Sequence, residues 1–168
     1  MSVWTVRREQ DGDEAAIAQV IATAFAGTEW SDGSEAGIVA RLRDDLQLEA
    51  SYVAVTASGS VIGHIAFSPI EIDGRHAGWY GLAPLAVLPD WQRRGIGAAL
   101  VEAGLEDLQR IDAAGCVVLG EPAYYARFGF AHDPALTYPG AAVREYFQRL
   151  VLHGDPPRGV VGYAAAFG

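Results

Sequence analysis

The run Trp79-Tyr80-Gly81-Leu82-Ala83-Pro84-Leu85-Ala86-Val87 is apolar at odd and even positions alike. Side chains along a strand alternate between the two faces of a sheet, so a strand of this composition must be covered on both. That confines the chain to layered folds in which helices pack on either side of a sheet. Pro84 adds a second constraint, because proline gives no N–H to a ladder and belongs at an edge or a bulge. In a strand this apolar, a bulge is the solution that keeps the segment central.

The flanking segments supply the layers. A short strand near 3–7 precedes a helix that Asp11 or Asp13 can cap, with Ile17, Val20, Ile21, Ala24 and Phe25 at helical spacing. Gly27 closes it, an acidic loop follows, and a second helix starts near Ser34 and buries Ile38 and Leu42. Residues 52–57 and 61–72 read as antiparallel strands around the turn Ser58-Gly59-Ser60, and Asp73-Gly74 marks another hairpin. After the central strand come a loop to Arg94, a helix over 95–111 with Ile96, Leu100, Leu108 and Ile111 on one side, and a buried strand over 115–119. Pro122 opens a brief helix that ends at Gly129, and two β-like stretches, 146–152 and 160–167, finish the sequence. The order predicts an α/β fold with a sheet of mixed direction and helices on both faces.

A chain of 168 residues with 51% apolar side chains has the material for one core and is read as one domain over 1–168. Its 12 basic residues, all arginine, face 21 acids, for a net charge of −9. Nucleic acid and anionic membrane surfaces bind through summed positive potential, so neither is expected as a partner. No apolar run reaches membrane-spanning length and the first residues lack a signal-peptide core, which points to the cytoplasm. The lone Cys116 lies in an apolar run and reads as a buried thiol, and the four histidines show no metal-ligand spacing, so no metal is expected.

The loop after the central strand ends in Arg93-Arg94-Gly95-Ile96-Gly97-Ala98. The unpaired amides of a helix start converge there with the helix dipole, and glycine lets an anion approach the backbone. Arg93 and Arg94 add side-chain charge, so an acidic protein can still hold an anion locally. A dinucleotide fingerprint does not fit, because Leu100 stands at its third glycine position, and a P-loop would need Gly-Lys-Ser/Thr.

Gln92-Arg93-Arg94-Gly95-Ile96-Gly97, following Leu85-Ala86-Val87, resembles the Gln-x-x-Gly-x-Gly acetyl-CoA signature of the GNAT superfamily of N-acetyltransferases. Tyr125-Ala126-Arg127-Phe128-Gly129-Phe130 is similar to that family's Tyr-x-x-x-Gly-Phe segment, and with Tyr124 and Glu121-Pro122 it resembles a single-domain bacterial branch of unassigned substrate. The likeness runs from the first strand to about Phe130. It implies a mostly antiparallel mixed sheet whose fourth strand, 79–87, is bulged at Pro84 and splayed from the fifth, 115–119, leaving a slot for pantetheine. Acetyl-CoA, as co-substrate, would then meet Leu85, Ala86 and Val87 along the strand, Gln92 to Ala98 through the loop, and Tyr125 and Phe128 beyond it.

The implied reaction is transfer of the acetyl group to a primary amine by direct attack in a ternary complex, with no metal or covalent intermediate. The amine must lose a proton before it attacks. The backbone N–H of Val87 or Ala86 would hold the thioester oxygen, and Tyr125 would protonate the departing thiolate. The alternative for Tyr125 is a core aromatic beside Phe128 and Phe130, the acid role being preferred, and Tyr124 points about 100° away on the same turn. Glu121 is the candidate base, with Glu29 and Glu71 as others. The asparagine that many family members carry near the end of the fifth strand has no counterpart, since the sequence contains none.

For the acceptor, the loop between the first helices, the central strands and the C-terminal segment offer Glu29, Trp30, Asp32, Glu35, Trp79, Tyr80 and Tyr146. Acids with aromatics suit a small cationic amine. The acceptor is expected to be a small-molecule or peptide amine, and the protein a monomer or homodimer. Two alternatives keep the same slot: a non-catalytic acyl-CoA-binding sensor or partner-binding domain, and acetylation of protein N-termini or side-chain amines.

Overall fold

The computed structural model describes residues 3–29 and 31–168. In chain order its elements are β1 (Trp4–Arg8), α1 (Glu14–Phe25), α2 (Glu35–Asp44), β2 (Ala50–Thr56), β3 (Val61–Pro69), β4 (Glu71–Ile72), β5 (Trp79–Val87), α3 (Ile96–Arg110), β6 (Gly115–Leu119), α4 (Pro122–Tyr125), β7 (Leu136–Thr137), β8 (Phe147–Val151) and β9 (Gly159–Gly162). A six-stranded sheet runs β1-β2-β3-β5-β6-β8, and a small sheet β4-β9-β7 stands beside it. In the large sheet every pairing is antiparallel except β5 with β6. The expected mixed, mostly antiparallel α/β fold is therefore present.

Helices cover both faces, as the composition of β5 requires. Helix α3 seats Ile96, Leu100, Val101 and Leu108 on the face that also buries Ile65, Phe67 and Leu82. Helix α1 presses Ile17, Val20 and Ile21 against Val53, Val55, Ala66 and Ala86 on the other. Gly104 lets α3 lie close, because a Cβ there would fall inside the ring of Phe67, which is fully buried. Gly104→Ala is expected to lower the unfolding free energy by about 2 kcal/mol, the overpacking outweighing the gain in helix propensity. Urea denaturation checks this, and an unchanged midpoint would contradict the close seating.

Under the α1 face a half-buried polar chain ends on the buried His64. Arg43 of α2 grips Glu9 through Nε and a terminal nitrogen, both at 2.9 Å. Glu9 accepts the Ser51 hydroxyl at 2.7 Å, and Ser51 meets His64 Nε2 at 2.8 Å. Since the one Ser51 proton goes to the carboxylate, Nε2 is the donor to Ser51 and Nδ1 is the bare nitrogen, buried without a partner. Burial pushes the imidazole down to about 4, against the pull of Glu9. Above the unfolded value of about 6.5 both states are neutral and nothing is lost; below it only the unfolded chain takes up the proton. Stability is expected to fall between those two values by on the order of 3 kcal/mol, and His64→Leu to flatten that slope in urea melts across the pH range.

Some sequence expectations need correction. Asp13 heads α1 but does not cap it, because its carboxylate is taken by Arg7 at 2.8 Å and by the Gln10 amide. In α2 the core position belongs to Val39, and Ile38 is half-buried toward the cavity described below. Ile111 follows the last turn of α3 and is 48% exposed. The stretch 61–72 divides at Ile70, with β4 joining the small sheet. Only Gly159–Gly162 of the last β-like stretch is strand, and Ala165–Phe167 turns helically and packs on α2.

Candidate active site

The irregularity at Pro84 is a bulge. Phe67 pairs with Leu82 and Ile65 with Leu85, so Ala83 and Pro84 together oppose Ala66. Its consequence is a change in which backbone groups face which neighbour. Before the bulge, Ile70 N–H donates to Trp79 O at 3.1 Å, so Trp79 and Gly81 turn toward β3 while Tyr80 and Leu82 turn toward β6. After it, Leu88 N–H donates to Ile62 O at 2.9 Å, so Ala86 turns toward β3, and Leu85 and Val87 point the other way.

On that other side the partner has gone. β5 and β6 pair only at Trp79↔Gly115, Tyr80↔Cys116 and Gly81↔Val117, although β5 continues to Val87 and β6 to Leu119. The strands part after Gly81, and a cavity of about 950 Å³ opens between them, walled by Leu82 to Val87 on one side and by Val118 to Glu121 on the other. The backbone groups of Leu85 and Val87 face into it, and those of Ala86 do not. Gln92 Nε2 donates to Val87 O at 3.1 Å, fastening the loop to the end of the strand.

Beyond that strand end lies the start of α3. Arg93 (φ 64°) and Gly95 (φ 82°) are both left-handed, a conformation that turns the loop sharply into the helix. A Cβ on Gly95 would meet nothing within 4 Å, so its backbone is open to a ligand. Ile96 is buried, so only its backbone is available. Arg94 stacks over Trp91 at 4.8 Å, and neither Arg93 nor Arg94 belongs to an ion pair among the described residues. Gly97 carries the Tyr124 hydroxyl, which would lie 2.7 Å from a Cβ at that position.

Tyr124 and Tyr125 both line the cavity, their rings edge-on at 5.0 Å. Tyr125 leans on Phe130 at 5.8 Å and on Phe128 at 6.3 Å, and Gly120 leaves room for it, a Cβ there falling 2.5 Å from Tyr125 Cε2. Packing and access are thus compatible: the ring is part of the core and still borders the cavity. Burial pushes the Tyr125 phenol up, which keeps it protonated at neutral pH. Cys116, at the root of the fork, is fully buried and its thiol is also pushed up by burial, so it is no nucleophile.

Of the predicted acceptor residues and base candidates, the structure brings Glu35, Glu121 and Tyr146 to the cavity. Glu35 accepts the Ser31 hydroxyl at 2.7 Å, and the Tyr146 hydroxyl is 3.5 Å from Glu121 Oε1. The others lie elsewhere. Glu29 is exposed and outside the lining, Asp32 is spent on Ser34, and Glu71 is exposed on β4. Trp79 is 2% exposed, packed with Ile70 and Val117 on the Gly115 backbone, because burial of so large a ring is worth more than placing it in a site. Tyr80 borders His76 at 5.3 Å, and its phenol is pushed up by burial and by Glu49. Trp30 falls outside the described residues.

Several wall residues gave no local signal. Tyr163 rests its ring on Gly81, where a Cβ would lie 2.7 Å from Cε2, and so fills the apex of the fork. It stacks with Tyr138 at 4.9 Å and Phe167 at 5.1 Å. Where asparagine is missing at the end of β6, Gln148 of β8, 2% exposed, donates to Gly120 O at 3.1 Å and Tyr146 O at 3.3 Å. Among the described residues no three of His, Cys, Asp or Glu are grouped to hold a metal ion, and no helix is long and apolar enough to cross a membrane.

Known proteins share this build. Residues 47–132 match the family model described as an acetyltransferase (GNAT) domain. The uncharacterized N-acetyltransferase YhbS of Escherichia coli K12 is 40% identical over 133 residues, 77% of this chain and 78% of that one. A GNAT family acetyltransferase from Brucella melitensis, crystallised with acetyl-CoA, superposes with a TM-score of 0.87 at 43% identity over 98% of both chains. E. coli YhbS in complex with CoA superposes with a TM-score of 0.91 at 32% identity over 99% of this chain and 93% of that one. With relatives this similar along nearly its whole length, the chain belongs to the GNAT family of acetyltransferases.

Proposed function

We propose that the protein transfers an acetyl group from acetyl-CoA to a primary amine by direct attack in a ternary complex. The observation that carries this is the fork between β5 and β6, whose unpaired edge faces the cavity and ends at an open helix start. The residues fit such a ligand. The exposed backbone groups of Leu85 and Val87 suit the thioester and amides of a pantetheine arm, and the amides from Arg93 to Ala98, with the Arg93 and Arg94 side chains, suit a pyrophosphate. Relatives crystallised with acetyl-CoA and CoA support the same assignment.

Acetyl-CoA supplies an activated thioester whose thiol is a good leaving group. The protein's residues supply the rest. Leu85 N–H, turned into the cavity by the bulge and farther than Val87 from the helix start that would hold the pyrophosphate, donates to the thioester oxygen as it gains charge, in place of the predicted Val87; Ala86 N–H, turned to β3, cannot. The C–S bond breaks as Tyr125, its phenol kept neutral by burial, donates a hydrogen bond to the departing sulfur, which becomes the thiol with the second proton that the amine nitrogen sheds on becoming an amide. Glu121 pairs with the incoming ammonium and passes its proton to water. A carboxylate is a far weaker base than an alkylamine, so solvent is the proton's final acceptor.

Initial velocities measured against both substrates test direct attack. Intersecting double-reciprocal lines are expected, and parallel lines would reveal an acetylated enzyme instead.

A further inference from the structure

We infer that the acceptor is a primary amine with an aromatic or branched apolar body and no anionic group; this rests on the transferase assignment above and specifies its substrate. The acceptor half of the cavity is bounded by α1, α2 and the C-terminal segment, and its walls are Phe25, Ile38, Tyr138, Val143, Tyr163 and Phe167. The exposed surface agrees independently. Of the seven large apolar side chains left in solvent among the described residues, three, Leu119 (43%), Val143 (47%) and Tyr146 (38%), line this one cavity, and the other four, Val3, Leu46, Ile111 and Val160, do not. Exposed apolar groups collected at a concave site mark a surface meant to be covered by a ligand.

Charge narrows the class further. Glu35 and Glu121 line the cavity, and no arginine or histidine does so among the described residues. An ammonium entering there meets a carboxylate, and an aromatic wall adds a cation–π contribution. A carboxylate or phosphate on the same molecule would meet like charge and no counter-ion. A second ammonium at the far end of a polyamine would have to shed its water among aliphatic side chains such as Ile38 and Val143. Amino acids and polyamines are therefore disfavoured, and apolar monoamines are selected by what the walls lack as much as by what they offer.

Thiol release from acetyl-CoA with three matched amines tests this: phenylethylamine, phenylalanine, which adds one carboxylate, and diaminobutane, which exchanges the ring for a second ammonium. Phenylethylamine is expected to exceed phenylalanine in kcat/KM by about 100-fold and diaminobutane by at least about tenfold, the scale of one unpaired charge in an apolar site. Glu35→Gln should raise the KM of phenylethylamine and shrink its lead over phenylalanine, because the repelling carboxylate is gone. A preference for phenylalanine or diaminobutane, with robust thiol release, would overturn the inferred acceptor and leave the acetyltransferase assignment standing. Absence of release with all three, while acetyl-CoA still binds, would overturn both.

Discussion

Gly97→Glu is expected to weaken CoA binding by at least about 100-fold, close to 2.7 kcal/mol. Two effects act together. Any side chain at this position displaces the Tyr124 hydroxyl, which would lie 2.7 Å from the new Cβ. The added carboxylate then stands in the first turn of α3, where the open amides would hold a pyrophosphate; like charges about 4 Å apart near a surface repel by roughly 4 kcal/mol. Calorimetric titration of CoA into both proteins reads the loss directly. An unchanged Kd would remove the helix start from the binding site. Arg94→Ala should cost far less, because the Arg94 guanidinium already stacks over Trp91 in an exposed setting and the backbone amides remain.

Tyr125→Phe is expected to lower kcat by about 100-fold while acetyl-CoA affinity changes little, the range found when one proton donor is removed. The substitution deletes a single oxygen and leaves the ring on Phe128 and Phe130, so the fold should persist. A kcat within threefold of the parent would make Tyr125 a packing residue only. Tyr124→Phe is the informative companion, since both phenols border the cavity but the Tyr124 hydroxyl is directed at Gly97. A large loss in Tyr124→Phe together with a small one in Tyr125→Phe would exchange their roles.

What the sequence disclosed follows the range of the interactions involved. Strands β5 and β6 coincide with the predicted 79–87 and 115–119, because apolar runs between turn residues are decided locally. Pro84 announced its bulge for the same reason: a missing N–H is a property of one residue. The bulge's effect on the site was not legible, since choosing Leu85 and Val87 over Ala86 depends on the register with β3. Trp79 was misplaced because an aromatic on a central strand reads alike whether it fills a core or a site, and only its packing on Gly115 decides. Tyr138, Tyr163 and Phe167 went unnoticed for a related reason. Strand β9 pairs with β4 and β7, far away in sequence, and that pairing carries Tyr163 to Gly81. The acidic composition proved consistent with a cavity whose ionised lining is glutamate, and the missing asparagine has Gln148 standing at the same strand end.

Thiol release from acetyl-CoA, measured with and without phenylethylamine, shows whether the fork between β5 and β6 delivers an acetyl group to an amine. Release is expected to depend on the amine, to saturate with it, and to yield one amide for each thiol. Acetyl-CoA binding to the slot with release that no amine accelerates would contradict such delivery and leave a protein that senses acyl-CoA without transferring the acyl group.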